Sequence, residues 1–430
     1  VNTPAITLLI GSFAALILIR VPIAFSLGIS AVITAAYLNI PLAMLAQAMV
    51  RGINSFSLLA IPFFILAGEI MGEGGISQRL INFSNVIVGR IRGGLALVNV
   101  LASMFFGGIS GSSVADTSSI GSILIPMMKK KGYDVDYSVA VTITGSTQGI
   151  LIPPSHNMII YSLVAGGVSV GRLFLAGMIP GIVLGLALML LSYIIAVKRG
   201  YPAGEPVSLR DALAATKDAA LGLFTAVIVV GGVITGFYTA TEAAAVAAVY
   251  AFFITFFVYR DIPLTKMGYI LMKSLKTLAI VMALIATSNA FGWMLAYLKV
   301  PALATKALLS ISNNKYVILF IINILLLLLG CIMDMAPLIL ITTPILLPVA
   351  VQIGVDPVHF GIIMMLNLAI GLLTPPVGST LFVGCAIGNI SIEKLSRTMV
   401  PFYLTMIAVL MLITYIPQIV MFMPNLLMGK

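Results

Sequence analysis

Apolar residues run through this chain in blocks long enough to cross a bilayer, and polar clusters interrupt the blocks at places that recur. Segments at 4–19, 22–39 and 57–72 each read as a span near the ~20 residues a bilayer requires. The first is expected to be retained, because no basic stretch or small-residue cleavage site flanks it. Residues 74–92 carry Arg79, Arg90 and Arg92 on an amphipathic pattern and predict a helix lying along the cytoplasmic interface. From 93 to 128 an apolar stretch is broken at its centre by GGISGSS, with Arg90 and Arg92 before it and Lys129 to Lys131 after it. Two full spans would fit the count, but basic flanks at both ends predict a re-entrant hairpin that enters and returns on the cytoplasmic side. Residues 137–167 cross once, interrupted between Gly149 and Pro154, where proline supplies no N–H to the preceding turn.

The remaining pattern is a span at 173–197, a soluble linker at 200–217, spans at 219–237, 241–259 and 277–298, and an amphipathic arm at 299–315. A second hairpin (316–352, tip GCIMDMAP), a second broken span (359–387) and a last span (399–423) follow. The interruptions are duplicated. Shifted by 222 residues, GILIPPSHNMIIYSLVAGGVS lies on GLLTPPVGSTLFVGCAIGNIS, matching Gly149 with Gly371, Pro153 with Pro375 and Pro154 with Pro376. Paired helix breakers in two halves of a membrane chain point to the binding site of a transporter.

Composition narrows the class. The chain is 61% hydrophobic and 8% charged over 430 residues, which predicts an all-α polytopic membrane protein. The net charge of +10 comes without a basic block interleaved with aromatics, so nucleic acid is not expected as a partner. The excess Lys and Arg report topology instead. Seventeen of 23 fall on one side of the predicted path, leaving Arg51, Arg172, Lys299, Lys306, Lys315 and Lys430 on the other. That bias places both termini in the periplasm and makes the repeats inverted, the first hairpin entering from the cytoplasm and the second from the periplasm. Cys331 and Cys385 both sit in apolar segments and predict neither a disulfide framework nor a zinc site.

PFFILAGEIMGEGGISQRLINFSNVIVGRIRGGLALVNV, FFGGISGSSVADTSSIGSILIPMM and GILIPPSHNMIIY resemble the large (M) membrane subunit of tripartite ATP-independent periplasmic (TRAP) transporters, the DctM-like family. GCIMDMAPLILITTPILLPV, GVDPVHFGIIM and GLLTPPVGSTLFV extend the resemblance over essentially the whole chain. It implies an inverted-repeat, elevator-type secondary transporter of the bacterial inner membrane, driven by Na+. It also implies a separate small four-helix membrane subunit, a periplasmic substrate-binding protein, and an organic acid as substrate, a C4-dicarboxylate or, nearer this sequence, sialic acid. The expected division is scaffold and arm over 1–92, a first transport repeat over 93–170, linking and scaffold spans over 171–315, a second repeat over 316–390 and a last span over 391–430.

Sodium is a hard cation best held by oxygens, and helix breaks aim backbone carbonyls at one point. The first of two or more ion sites is expected to combine Ser110, Ser112 and Ser113 with Gly149, Ile152 and Pro154, and the second Gly330 and Asp334 with Gly371, Thr374 and Pro376. The competing reading is that these small residues only let helices approach closely. Asp116 and Asp334 follow the hairpin tips, where a carboxylate is costly unless it binds an ion, caps a half-helix or holds the tip. Ser155, His156 and Asn157, with Gly378, Ser379 and Thr380, begin the second half-helices, whose N–H groups and dipole favour an anionic substrate. Glu69, Glu73 and Glu242 lie nearer segment ends and read as interfacial. Two other classes remain. Gly108-Ile109-Ser110-Gly111 fits an intramembrane serine protease with His156 as base, and an anion channel would share the same composition.

Overall fold

The computed structural model describes residues 2–312 and 314–429, which form helices and loops with one isolated bridge between Arg92 and Ala203. Asn313, inside the predicted arm, and Lys430, counted above on the periplasmic side, lie outside the described residues. By length and composition, seven of the described helices could each cross a membrane.

The predicted spans 4–19 and 22–39 are helices Thr3–Leu18 and Ile23–Tyr37. They pack with Met267–Tyr297 around Leu9, Leu27, Ala31 and Phe291. A helix Leu42–Ile53, absent from the sequence expectation, lies along Met267–Tyr297. Its strongly amphipathic pattern was the missed signal. Ala60–Glu73 and Ala240–Phe253 pack face to face, and the arm helix Ile76–Val88 rests on Leu209–Ile234. Glu69 and Glu73 close on Lys273 at 2.7 and 3.0 Å, and Glu242 completes a capping box with Thr239.

The hairpins and broken helices form the other body. The first hairpin is Gly94–Ser110 and Ser113–Lys130; the second is Lys315–Gly330 and Met335–Gln352. The first broken helix is Val135–Ser146 and Gln148–Leu151, a break at 152–155, then His156–Val164. The second is Pro357–Gly371, a break at 372–378, then Ser379–Gly388. Every residue from 137 to 151 and from 358 to 373 is buried. Helices enclosed on every side need no polar face toward solvent, so they carry no amphipathic stripe.

The two broken helices run antiparallel. Gly384 and Gly388, late in the second, lie on Ile143 and Val139, early in the first; Gly361, early in the second, lies on Tyr161, late in the first. Each hairpin's returning leg packs on the second half of the opposite broken helix. Antiparallel crossing of duplicated elements gives the inverted repeat its geometry and sets the two breaks side by side.

Four expectations change. The linker is shorter than 200–217, because Ser208 caps a helix that starts at Leu209, its hydroxyl accepting from the Asp211 N–H at 3.1 Å. The span at 277–298 begins earlier, within a helix over Met267–Tyr297. The last span divides into Ile392–Tyr415 and Pro417–Met428, since Pro417 has no N–H to continue the helix. Finally, Val170–Arg199, which the sequence grouped with the linking and scaffold spans, packs on the hairpin and broken-helix body, and so do the two helices of the last span, Ile392–Tyr415 and Pro417–Met428. Arg172 fixes the last helix by donating to the Asn425 side chain at 3.0 Å and the Gly429 carbonyl at 2.7 Å.

The linker also closes the base of the first repeat. Gly93 N–H donates to the Pro202 carbonyl at 3.0 Å, and Arg199 and the Tyr201 hydroxyl both bond Asp134, at 2.9 and 2.6 Å. The Tyr201 hydroxyl, with Arg199 beside it, holds the Asp134 carboxyl below its ordinary range.

Candidate functional site

Each hairpin tip is seated in a helix break. Gly111 turns the first tip in the left-handed conformation at φ 61°, and the Pro154 carbonyl and Ser155 backbone stand where a Cβ would be. Gly107 and Gly149 lie backbone to backbone, and a Cβ on Gly149 would come within 2.6 Å of the Gly107 Cα. The second tip repeats this contact: a Cβ on Gly330 would stand 3.0 Å from the Gly371 Cα, and one on Gly371 2.6 Å from the Gly330 Cα. The Val377 N–H then donates to the Cys331 carbonyl at 3.2 Å, bonding break to tip. Both Pro-Pro bonds are cis.

The structure brings together the residues assigned to the first ion site. Ser110 ends the outgoing leg, and Ser112 caps the returning leg with its hydroxyl 3.4 Å from the Ala115 N–H. Ser113 starts that leg, its hydroxyl 2.7 Å from Ser146 Oγ and accepting from Thr380 Oγ1 at 3.1 Å. Ile152 is extended at the break, and its side chain lies against Gly108. Pro153 and Pro154 have no N–H to offer the carbonyls of Gly149 and Ile150. Among the described residues no other donor reaches those two carbonyls.

The second set is also assembled, with its oxygens more committed. The Gly371 carbonyl accepts from the Thr374 N–H at 3.0 Å, and the Leu372 carbonyl from Leu381 at 3.3 Å. The Thr374 hydroxyl donates to the Ile370 carbonyl at 2.8 Å, leaving its lone pairs open. A carbonyl can accept twice, so these oxygens keep a second position. Asp334 caps the returning leg, accepting from the Met335 N–H at 2.9 Å and the Ser379 hydroxyl at 3.4 Å. Ser112 and Asp334 are thus the equivalent caps of the two repeats, 222 residues apart. Asp116 is not a cap. It lies fully buried in the first turn, and among the described residues nothing donates to either of its carboxylate oxygens.

The six residues expected at the half-helix starts are placed there. Ser155 occupies the cap position, buried and without a partner among the described residues, and His156 and Asn157 open the half-helix His156–Val164. Gly378 precedes Ser379–Gly388, so Ser379 reaches the second tip and Thr380 reaches Ser113 across the repeats. His359, given no role from sequence, is a core histidine 2.7 Å from the Ile413 carbonyl.

Sequence reasoning missed the polar groups that hold the breaks. Gln148 donates to the Val100 and Gly145 carbonyls at 3.3 and 2.9 Å, and Tyr403 donates to the Leu373 carbonyl at 2.5 Å. In the second repeat Asn367 donates to Asn323 at 2.8 Å, and Asn323 to Thr414 at 3.1 Å. Polar residues inside apolar runs were the available signal, since a buried amide needs partners.

The protease reading fails on geometry. The Ser110 hydroxyl is engaged with the Ser112 backbone at 3.3–3.5 Å, and among the described residues it makes no hydrogen bond to His156. Duplicated re-entrant hairpins seated in antiparallel broken helices, within an all-helical polytopic membrane protein, define a transporter of the inverted-repeat class. The chain belongs to the family described as "Tripartite ATP-independent periplasmic transporter, DctM component", which it matches over residues 10–419. It is 39% identical to the C4-dicarboxylate TRAP transporter large permease protein DctM of Rhodobacter capsulatus, over 98% of this chain and 99% of that one. It is 41% identical to the sialic acid TRAP transporter large permease protein SiaM of Vibrio cholerae, over 89% and 90%. In fold it is similar to the Alcanivorax borkumensis YdaH transporter, with TM-score 0.64 and 13% identity over 87% of this chain and 88% of that one. It is a transporter permease subunit and not an enzyme.

Proposed function

We propose that this chain imports an organic anion, a C4-dicarboxylate or a sialic acid, across the bacterial inner membrane with sodium as the coupling ion. In this reading a periplasmic binding protein delivers the substrate and a small four-helix membrane subunit braces the scaffold. The observation that carries it is the pair of tip-in-break contacts, one per repeat, adjacent through Thr380 and Ser113. Sodium would be held by the Gly149, Ile152 and Pro154 backbone with Ser110, Ser112 and Ser113, and by Gly330, Gly371, Thr374 and Pro376 with Asp334. Among the described residues no three His, Cys, Asp or Glu side chains gather, so carbonyl and hydroxyl oxygens are the donors at hand. That donor set suits a weakly held hard cation better than a transition metal. The substrate carboxylate would face the half-helix starts at Ser155, His156 and Asn157 and at Gly378, Ser379 and Thr380, where free N–H groups and the dipole attract an anion. Asp116 would couple occupancy to movement of the first hairpin. In the elevator reading the hairpins and broken helices move against the scaffold, across shared apolar packing such as that of Ile70 and Met71 with Phe106 and Ile109.

Uptake is expected to need a sodium gradient and the binding protein together. Proteoliposomes holding both membrane subunits, assayed with succinate and with N-acetylneuraminate, test this directly. Undiminished uptake in sodium-free buffer under a proton gradient alone would overturn it.

The inverted orientation, with both termini periplasmic, has its own test. Single cysteines at Lys130 and Lys306, both exposed, are placed in a background lacking Cys331 and Cys385. They are expected to react with impermeant reagents from opposite sides, Lys306 from the periplasm. Labelling of both from one side would sink the orientation.

A further inference from the structure

We infer that the crevice between the scaffold and the repeat body, on the predicted periplasmic side, binds the carboxylate of the transported acid before it reaches the helix breaks. The inference rests on the reading above that the substrate is an organic anion, and it adds a second, loading site.

The crevice encloses about 340 Å³, within the range of small-molecule sites. One wall is scaffold, with Arg51 from Leu42–Ile53 and Ser288, Asn289 and Trp293 from Met267–Tyr297. The other wall is the repeat body, with Val164 ending the first broken helix and Pro344 on the returning leg of the second hairpin. A second cavity shares Val164 and Pro344 in its lining and reaches Gln352.

Its polar groups await an anion. Arg51 is exposed at the mouth of the crevice, and among the described residues it forms no ion pair and no side-chain hydrogen bond. Ser288 is 4% exposed, and its hydroxyl has no partner among the described residues. A helical serine or threonine usually returns its proton to the carbonyl one turn back, as Thr287 does to Ala283 at 3.0 Å. Ser288 instead lines the cavity, where its hydroxyl is free to meet a bound anion. The Asn289 amide spends one N–H on the Ile285 carbonyl at 2.8 Å and keeps the other. It fits beside Arg51 only because Gly52 has no Cβ, which would overlap the Asn289 side chain. Trp293, stacked on Tyr297 at 5.5 Å, adds an apolar plane for the body of the acid. One cation, a hydroxyl and an amide around an apolar wall suit a carboxylate carried on a small organic skeleton.

Arginine and tryptophan also sit beside lipid headgroups, so a lipid phosphate is the rival source of the same oxyanion chemistry. Trp293 is the chain's one tryptophan, which makes its fluorescence a direct reporter of this crevice. The purified full chain in neutral detergent is titrated with succinate and with N-acetylneuraminate, in sodium and in sodium-free buffer. A saturable change is expected for at least one acid, persisting without sodium. Arg51→Gln should weaken it by about tenfold or more, as loss of a charge-assisted contact does, while Arg51→Lys keeps most of it. Ser288→Ala should weaken it several-fold, and it carries the test if Arg51→Gln fails to fold. No saturable change with either acid overturns the inference, as does an equal change in Arg51→Gln. A change produced only by added phosphatidylglycerol assigns the crevice to lipid and overturns it too. The two readings fail separately. Uptake that persists without the fluorescence change removes the loading site alone, whereas a saturable change without uptake removes the transport reading.

Discussion

A valine at Gly371 is expected to abolish uptake and to lower the yield of folded protein sharply. Its Cβ would stand 2.6 Å from the Gly330 Cα, closer than real Cβ atoms come, and both neighbours are backbone. Overpacked cores cost about 1–3 kcal/mol when side chains can shift. Here no side chain can give way, so the hairpin tip must leave the break and the expected cost lies at or above the top of that range. The same substitution at Gly149 presses on Gly107 and should act alike. Gly268→Ala is the control, because nothing lies within 4 Å of a Cβ there. Purification yield, thermal unfolding and uptake in proteoliposomes read the result. Wild-type uptake from the Gly371→Val protein would mean that tip and break need not touch.

The second large effect falls on sodium. Ser112→Ala and Thr374→Ala are each expected to raise the sodium concentration for half-maximal uptake by about tenfold, near 1.4 kcal/mol for one contact to a charged group. Because the two hydroxyls serve different ions, the double variant weakens both sites and should still need about tenfold more sodium for half-maximal uptake. Ser112 also caps its leg, so its loss costs about 1 kcal/mol of stability. That cost appears in thermal unfolding and not in sodium dependence, which separates the two roles. Thr374 forms no cap, and its hydroxyl is satisfied by the Ile370 carbonyl, so its alanine variant isolates the ion contact. Asp334→Asn should impair uptake as well, since the carboxylate holds both the leg and Ser379. Wild-type sodium dependence in both alanine variants would leave only backbone oxygens as candidates.

Much of this was legible in the chain itself, for identifiable reasons. Apolar blocks and basic flanks are direct consequences of the bilayer as solvent, so the spans and hairpins could be counted from residue order. Pro153-Pro154 and Pro375-Pro376 mark breaks wherever they fall, because proline removes a donor in any context. The 222-residue offset tied Gly149 to Gly371 before any contact was known. It also aligns Ser112 with Asp334, an equivalence obscured by comparing the two acidic residues instead. The contacts themselves were not legible. That Gly107 meets Gly149, that Thr380 reaches Ser113 across 267 positions, and that the broken helices cross antiparallel are decided by packing, which periodicity does not encode. Helices buried on every side, such as 358–371, give no stripe from which to read a partner. Membership of a body escaped for the same reason. Val170–Arg199 looks like any apolar span, and only the small-residue contacts at Gly177, Gly181 and Gly185 seat it on the first broken helix rather than on the scaffold. The apolar pattern therefore determined which segments enter the membrane and where they break, while close backbone approach in the folded chain decided which breaks face each other.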